Sequence, residues 1–251
     1  MLLENKNAII YGAGGGIGGA VARTFAREGA RVFLAGRTQA KLDAVAGDIG
    51  AAGGRAETAV VDALDERAVD EHADAVAAEA ASIDISFNLI SLGDVQGTPM
   101  VEMTFEDFSQ PIYNAVRTNF LTWRAAARHM IRQGGGVILA FGGSGEPLRD
   151  YSIGGFQIAL WAVEAMRQQL SMENGKHGLR VVTLRSGGVP ETIPEDYEGR
   201  EALVRSLEDM TMLGRTATLE DVGNIAAFVA SDRARTMTAA TVNTSAGALI
   251  D

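Results

Sequence analysis

The residues with the most chemistry to offer lie near the N-terminus. Tyr11-Gly12-Ala13-Gly14-Gly15-Gly16-Ile17-Gly18 joins a β-rich run to a helical pattern, and Gly12, Gly16 and Gly18 stand in the spacing G-x-x-x-G-x-G. Glycine permits a tight turn and lets a ligand approach the backbone closely. The free N–H groups that open the next helix attract phosphate. Gly12, Gly15, Gly16, Ile17 and Gly18 are therefore candidates for holding a dinucleotide pyrophosphate, with a plain flexible turn as the alternative. The next strand candidate ends Leu34-Ala35-Gly36-Arg37-Thr38, with no carboxylate where one would take the ribose 2′-OH of NAD. Arg37 can pair with a 2′-phosphate and Thr38 can add a hydroxyl, which favours NADP(H) over NAD(H). The alternative for Arg37 is a solvated surface arginine. Asp62, followed by Ala63, reads equally as an acceptor for the adenine amino group or as a helix cap.

Other chemistries find less support. His72, His129 and His177 are isolated, without metal-ligand spacing. Gly143-Ser144-Gly145-Glu146 does not match the G-x-S-x-G turn of a hydrolase. The chain has no cysteine, so it offers neither disulfides nor thiolate chemistry, in keeping with a cytoplasmic setting. A formal net charge of -10 argues against nucleic acid or an anionic membrane as partner. No apolar run is long enough to span a bilayer.

The elements that must position these residues follow from alternating patterns. Strand candidates are 6–11, 31–35, 57–61, 83–90, 137–141, 179–184 and 241–244. Helical patterns lie at about 17–28, 39–49, 65–81, 112–133, 152–174 and 219–231. This alternation implies right-handed crossovers and one α/β domain spanning 1–251, a Rossmann-type, doubly wound, mostly parallel sheet of seven strands in a three-layer sandwich. The Gly/Pro/Glu-rich stretch that begins at Ser186 reads as a loop over a site, reaching to about residue 212. Sites are expected where strands end, near Gly12, Arg37, Asn88, Ser144 and Val189.

On these residues the chain resembles the short-chain dehydrogenase/reductase family in its single-domain form, over essentially all 251 residues. Gly12 to Gly18 resembles the family's T-G-x-x-x-G-x-G, with Tyr11 in place of threonine. Asp62 matches the adenine-side aspartate. Asn88-Leu89-Ile90-Ser91 stands where the family has N-N-A-G. Asn119 matches the helix asparagine of the catalytic tetrad. Gly187-Gly188-Val189 with Thr192 resembles the loop that contacts the nicotinamide carboxamide, with Ser186 replacing its proline. Val242-Asn243-Thr244-Ser245-Ala246-Gly247 resembles the closing strand. The resemblance implies an oxidoreductase acting with a nicotinamide cofactor on a small molecule, and a homo-oligomer, most often a tetramer. Ile112, Val116 and Trp123 on one long helix, with Trp161 and Met166 on the next, would form its contact.

The same resemblance marks a departure. Ala162-Val163-Glu164-Ala165 sets the register of the family's Y-x-x-x-K-x-A-V-E-A run, which puts Phe156 at the tyrosine and Leu160 at the lysine. Counting back thirteen residues gives Gly143 at the serine, with Ser144 one residue on. Phe156 has no proton to transfer and Leu160 no charge. No other tyrosine has a lysine four or seven residues on. Tyr113 and Arg117 share a helix face that diverges from Asn119 and so points away from the cleft. Tyr151 is the remaining phenol near the site. Two function classes follow: an NADP(H)-dependent oxidoreductase of divergent mechanism, with Asn119, Ser144 and Tyr151 as its polar groups, or a catalytically silent NADP(H)-binding sensor, carrier or partner subunit.

Overall fold

The computed structural model describes residues 1–143 and 151–250. Seven strands are present: β1 (Asn7–Tyr11), β2 (Arg31–Gly36), β3 (Arg55–Val60), β4 (Ile85–Asn88), β5 (Gly136–Gly142), β6 (Leu179–Arg185) and β7 (Ala240–Asn243). They form one sheet in the order β3-β2-β1-β4-β5-β6-β7, parallel throughout. The helices are α1 (Gly16–Arg27), α2 (Gln39–Ala51), α3 (Glu66–Ala80), α4 (Phe105–Gln133), α5 (Gly155–Asn174), α6 (Arg200–Asp209) and α7 (Leu219–Ala230).

The central strands are apolar runs rather than alternating ones, because helices cover both faces of the sheet. Ala8, Ile9, Ile10, Ile85 and Phe87 have no exposed surface. On one face Val21 and Phe25 of α1, Leu42 and Val45 of α2, and Val222 and Ala226 of α7 fill the core. On the other, Val69 and Ala73 of α3, Trp123 and Met130 of α4, and Ala159 and Val163 of α5 do so. Strand order reverses between β1 and β4, where Tyr11 pairs with Asn88. The crevice beyond these strand ends is where such folds take their ligands.

Three features differ from the sequence reading. The long helix begins at Phe105, not near 112: Thr104 accepts a hydrogen bond from the Asp107 N–H (3.1 Å) and caps it, and Pro111 is carried inside the helix. Proline resembles a helix start, so the pattern hid the first two turns. The stretch 186–212 is not all loop: it contains a short 3₁₀ turn at Pro190–Thr192 and the helix α6, entered through Gly199 in the left-handed region. Finally, Trp123 is buried and Ile112 and Met166 pack against the core, so these three do not make the exposed face that the sequence suggested. Besides Phe105 and Met172 near the helix ends, the exposed large apolar side chains of α4 and α5 are Tyr113, Val116 and Phe120 with Ile158 and Trp161.

α3 and α4 are joined by a row of charges. Arg124 meets Glu66 (2.6 Å) and Asp70 (2.8 Å), and His129 Nε2 meets Asp74 (2.7 Å). His72, on the same helix, packs edge-on against the Tyr11 ring at 5.8 Å. Burial pushes its pKa down to about 4. The imidazole thus stays neutral in the folded chain while the unfolded chain takes up a proton below about pH 6.5. Stability from this group is complete above that pH and is lost as pH falls towards 4, by about 2–3 kcal/mol. Urea unfolding of the protein and of His72→Gln between pH 7.5 and 4.5 is expected to show this slope in the former only. Parallel slopes would refute it.

Candidate active site

The glycine turn uses its glycines in two ways. Gly12 has φ +78°, and a Cβ there would stand 2.5 Å from the Leu89 carbonyl oxygen; a Cβ at Gly18 would stand 2.2 Å from the Gly12 oxygen. Backbone packing alone demands these two. Gly15 and Gly16 are exposed, and a Cβ on Gly16 would meet nothing nearer than Thr192 Cγ2 at 3.5 Å. Their bareness keeps the surface of the turn open. α1 starts here with Gly15 at its cap position, no side chain capping it and no acid in its first turn. Ile17 turns towards the core and anchors that first turn. The first N–H groups of the helix are thereby left for an anion.

Arg37 and Thr38 follow β2 and are exposed. Thr38 stands at the cap of α2 without making a side-chain cap bond, and the first turn of α2 has no acid. A third group, missed in the sequence, joins them. A Cβ on Gly14 would lie 2.9 Å from Lys41 Cβ, so Lys41 rises beside the glycine turn. Neither Arg37 nor Lys41 has an ion-pair partner among the described residues. Lys41 could have been found from its place three residues past Thr38, in the first turn of the helix.

Asp62 does not cap α3. Asp65 does, accepting from the Arg67 (2.9 Å) and Ala68 (3.2 Å) N–H groups, while the exposed Asp62 accepts from the Leu64 N–H at 3.0 Å. Ala63 is buried behind it. Asn88 is buried and its side chain is spent internally, accepting from the Ile90 N–H (3.0 Å) and donating to Thr122 Oγ1 (3.4 Å). Through these two bonds it shapes the chain leaving β4. Ser91 is exposed on that segment.

Around the far end of the cleft the polar groups are few among the described residues. Asn119 is buried and donates to the Ala115 carbonyl oxygen at 2.8 Å. Leu160 is buried against the end of β5: a Cβ on Gly142 would lie 3.0 Å from its Cδ2, and one on Gly143 3.4 Å from its Cδ1. Leucine and the glycine pair therefore fit one another. Phe156 lies one turn earlier on α5 and is half-buried. Ser144 falls outside the described residues. Tyr151 is 40% exposed. Burial raises its phenol pKa, helped by Tyr197 and then by the Asp94 carboxylate, so the phenol stays protonated. Tyr113 and Arg117 engage each other and the segment after β3: the guanidinium stacks on the ring at 5.9 Å and donates to the Leu64 carbonyl oxygen (2.8 Å). The segment after β6 closes over the glycine turn. Val189 is buried, Thr192 Oγ1 donates to its carbonyl oxygen (2.7 Å), and Ser186 Oγ accepts from the Gly188 N–H (3.0 Å). Among the described residues no group of His, Asp and Glu could hold a metal ion.

Comparison with known proteins agrees with this geometry. The family profile described as enoyl-(acyl carrier protein) reductase matches residues 12–248. The chain belongs to the short-chain dehydrogenase/reductase family. It is 30% identical to gluconate 5-dehydrogenase of Gluconobacter oxydans over 229 residues, covering 91% of this chain and 89% of that protein. It is 30% identical to galactitol 2-dehydrogenase of Cereibacter sphaeroides over 241 residues, covering 95% and 92%. A short-chain dehydrogenase from Burkholderia cenocepacia, solved in complex with NADP, superposes with a TM-score of 0.87 at 25% identity and covers 99% of both chains.

As a member of the short-chain dehydrogenase/reductase family the chain is an oxidoreductase by descent, and its cleft fits a nicotinamide dinucleotide. The fit rests on the open surface of Gly15 and Gly16, the uncapped start of α1, and the unpaired cations beside the uncapped start of α2. Among the described residues no helix is long and apolar enough to cross a membrane.

Proposed function

We propose that this family member is an NADP(H)-binding oxidoreductase acting on a small molecule by a route that does not use the family's tyrosine and lysine. The observation that carries the cofactor choice is the group Arg37, Thr38 and Lys41, two unpaired cations and a hydroxyl at the end of β2 with no carboxylate among them. Gly12 to Gly18 would hold the pyrophosphate, Asp62 and Ala63 border the adenine, and Val189 and Thr192 cover the nicotinamide end. The bound cofactor would supply or take up a hydride. The chain's own part is to hold and desolvate the reactants, and Phe156, Leu160 and Gly143 leave the usual proton-transfer position without a phenol, an ammonium or a hydroxyl. The protonated Tyr151, the substrate or water would then provide the proton.

Titration of cofactor fluorescence tests the reading. NADPH is expected to bind more tightly than NADH, and Arg37→Ala to cost about 1.5–3 kcal/mol with NADPH and little with NADH, the range for hydrogen bonds to a charged group. Lys41→Ala should act in the same direction. Equal affinities in the unmodified protein would overturn it. A second reading, a silent NADP(H)-binding sensor, carrier or partner subunit, draws on Phe156 and Leu160 alone. It is separated by turnover on any carbonyl, enone or imine substrate.

The exposed stripe of Tyr113, Val116, Phe120, Ile158 and Trp161 supports a homo-oligomer, a tetramer by family habit, built through α4 and α5. Light scattering at micromolar concentration is expected to give a multiple of 26.4 kDa. A monomer would contradict it. The absence of cysteine supports a cytoplasmic setting.

A further inference from the structure

Between the sheet and the α3–α4 pair lies a cluster of polar groups that the cleft does not use. Tyr11, the last residue of β1, is 1% exposed, and its hydroxyl has no hydrogen-bond partner among the described residues. Asp70 Oδ1 and His72 Nδ1 on α3 are sealed from solvent in the same way, as is Arg124 Nε on α4. The residues that carry these atoms are neighbours. The Tyr11 and His72 rings meet edge-on at 5.8 Å. Burial, and after it the Asp70 carboxylate, raises the pKa of the phenol and keeps it protonated. The other oxygen of Asp70 accepts from Arg124 Nη2 at 2.8 Å.

Native folds rarely leave such groups bare, because each would forfeit its hydration with nothing in return. Four bare groups at one place would cost a large share of a domain's whole stability. We propose that Tyr11 Oη, Asp70 Oδ1 and His72 Nδ1 enclose an ordered water molecule, bordered by Arg124, that ties the end of β1 to α3 and α4. The mixture of groups selects water over an ion. The free oxygen of Asp70 repels an anion, and the guanidinium on its other oxygen repels a cation. A water molecule donates to the carboxylate while accepting from the phenol, and the imidazole nitrogen supplies a further partner, within the two to four that a buried water takes. The site stands immediately behind Gly12, so it would brace the glycine turn from the side away from the ligand.

Replacement of the hydroxyl reads the site by its sign. If the phenol is bonded to an enclosed water, Tyr11→Phe removes a satisfied group and strands the water and Asp70, and Tm is expected to fall by about 2–4 °C. If the hydroxyl has no partner, its removal relieves a desolvated group, and an unchanged or higher Tm overturns the proposal. A high-resolution crystal structure of the unmodified protein gives a second reading that does not depend on the variant folding. A water within hydrogen-bond distance of both Tyr11 Oη and Asp70 Oδ1 supports the site. A dry cluster, or a direct Tyr11–Asp70 hydrogen bond, refutes it.

Discussion

Gly155→Ala is expected to destabilise the protein by about 3 kcal/mol, read as a shift in the urea midpoint without a change in slope. A Cβ at Gly155 would stand 1.7 Å from the carbonyl oxygen of Phe108. That oxygen is backbone inside α4, so no rotamer change can move it aside, and α5 must back away from α4. The neighbouring Gly154 adds to the constraint, with φ +49° and the end of Met103 lying against its Cα. The consequence reaches the cleft, because Phe156 and Leu160 ride on the first two turns of α5. A variant as stable as the parent would mean that the α4–α5 contact is looser than its geometry states.

The second large effect concerns chemistry. Reduction of ordinary ketones is expected to run about 10²–10⁴-fold slower than in an enzyme that keeps a positioned phenol, since that is the typical contribution of a general acid. Phe156 cannot donate a proton at any pH, and Leu160 offers no charge. Leu160 is also not an empty lysine slot: it fills the space left by Gly142 and Gly143. Removing the lysine alone would leave a phenol without its partner, and removing the tyrosine alone would leave a buried ammonium; replacing both avoids either. Steady-state NADPH consumption with simple ketones checks this. A rate typical of alcohol dehydrogenases would refute it.

The fold was legible because its signals are local and mutually consistent. Glycines at 12, 16 and 18 between a strand and a helix, and apolar runs alternating with helical periods, specify a doubly wound sheet almost by themselves. What was hidden depended on tertiary contact. Pro111 looked like a helix start, yet Thr104 caps the helix two turns earlier. α6 has no buried residue, so its Leu203, Val204 and Leu207 gave only a weak periodic signal inside a stretch rich in glycine and proline. Trp123 and Phe120 are three residues apart on one helix, and the sequence did not tell which of them faces the sheet. In the cleft, Arg37 and the glycine turn could be read directly. For Lys41 the only signal was its place three residues past Thr38, and its approach to Gly14 appears only in the fold. The bonds of Asn88 to Ile90 and Thr122 were equally hidden, because they exist only once the chain has turned.

The most direct test is rapid mixing of NADPH-loaded protein with excess ketone, followed by cofactor fluorescence. An oxidoreductase that holds NADP(H) but lacks the usual proton donor should show cofactor fluorescence altered on binding and then largely persistent after the ketone arrives. Fast loss of the reduced-cofactor signal that survives both Tyr151→Phe and Ser144→Ala would contradict it, because ordinary ketone reduction would then run fast with no positioned side-chain acid among the groups named.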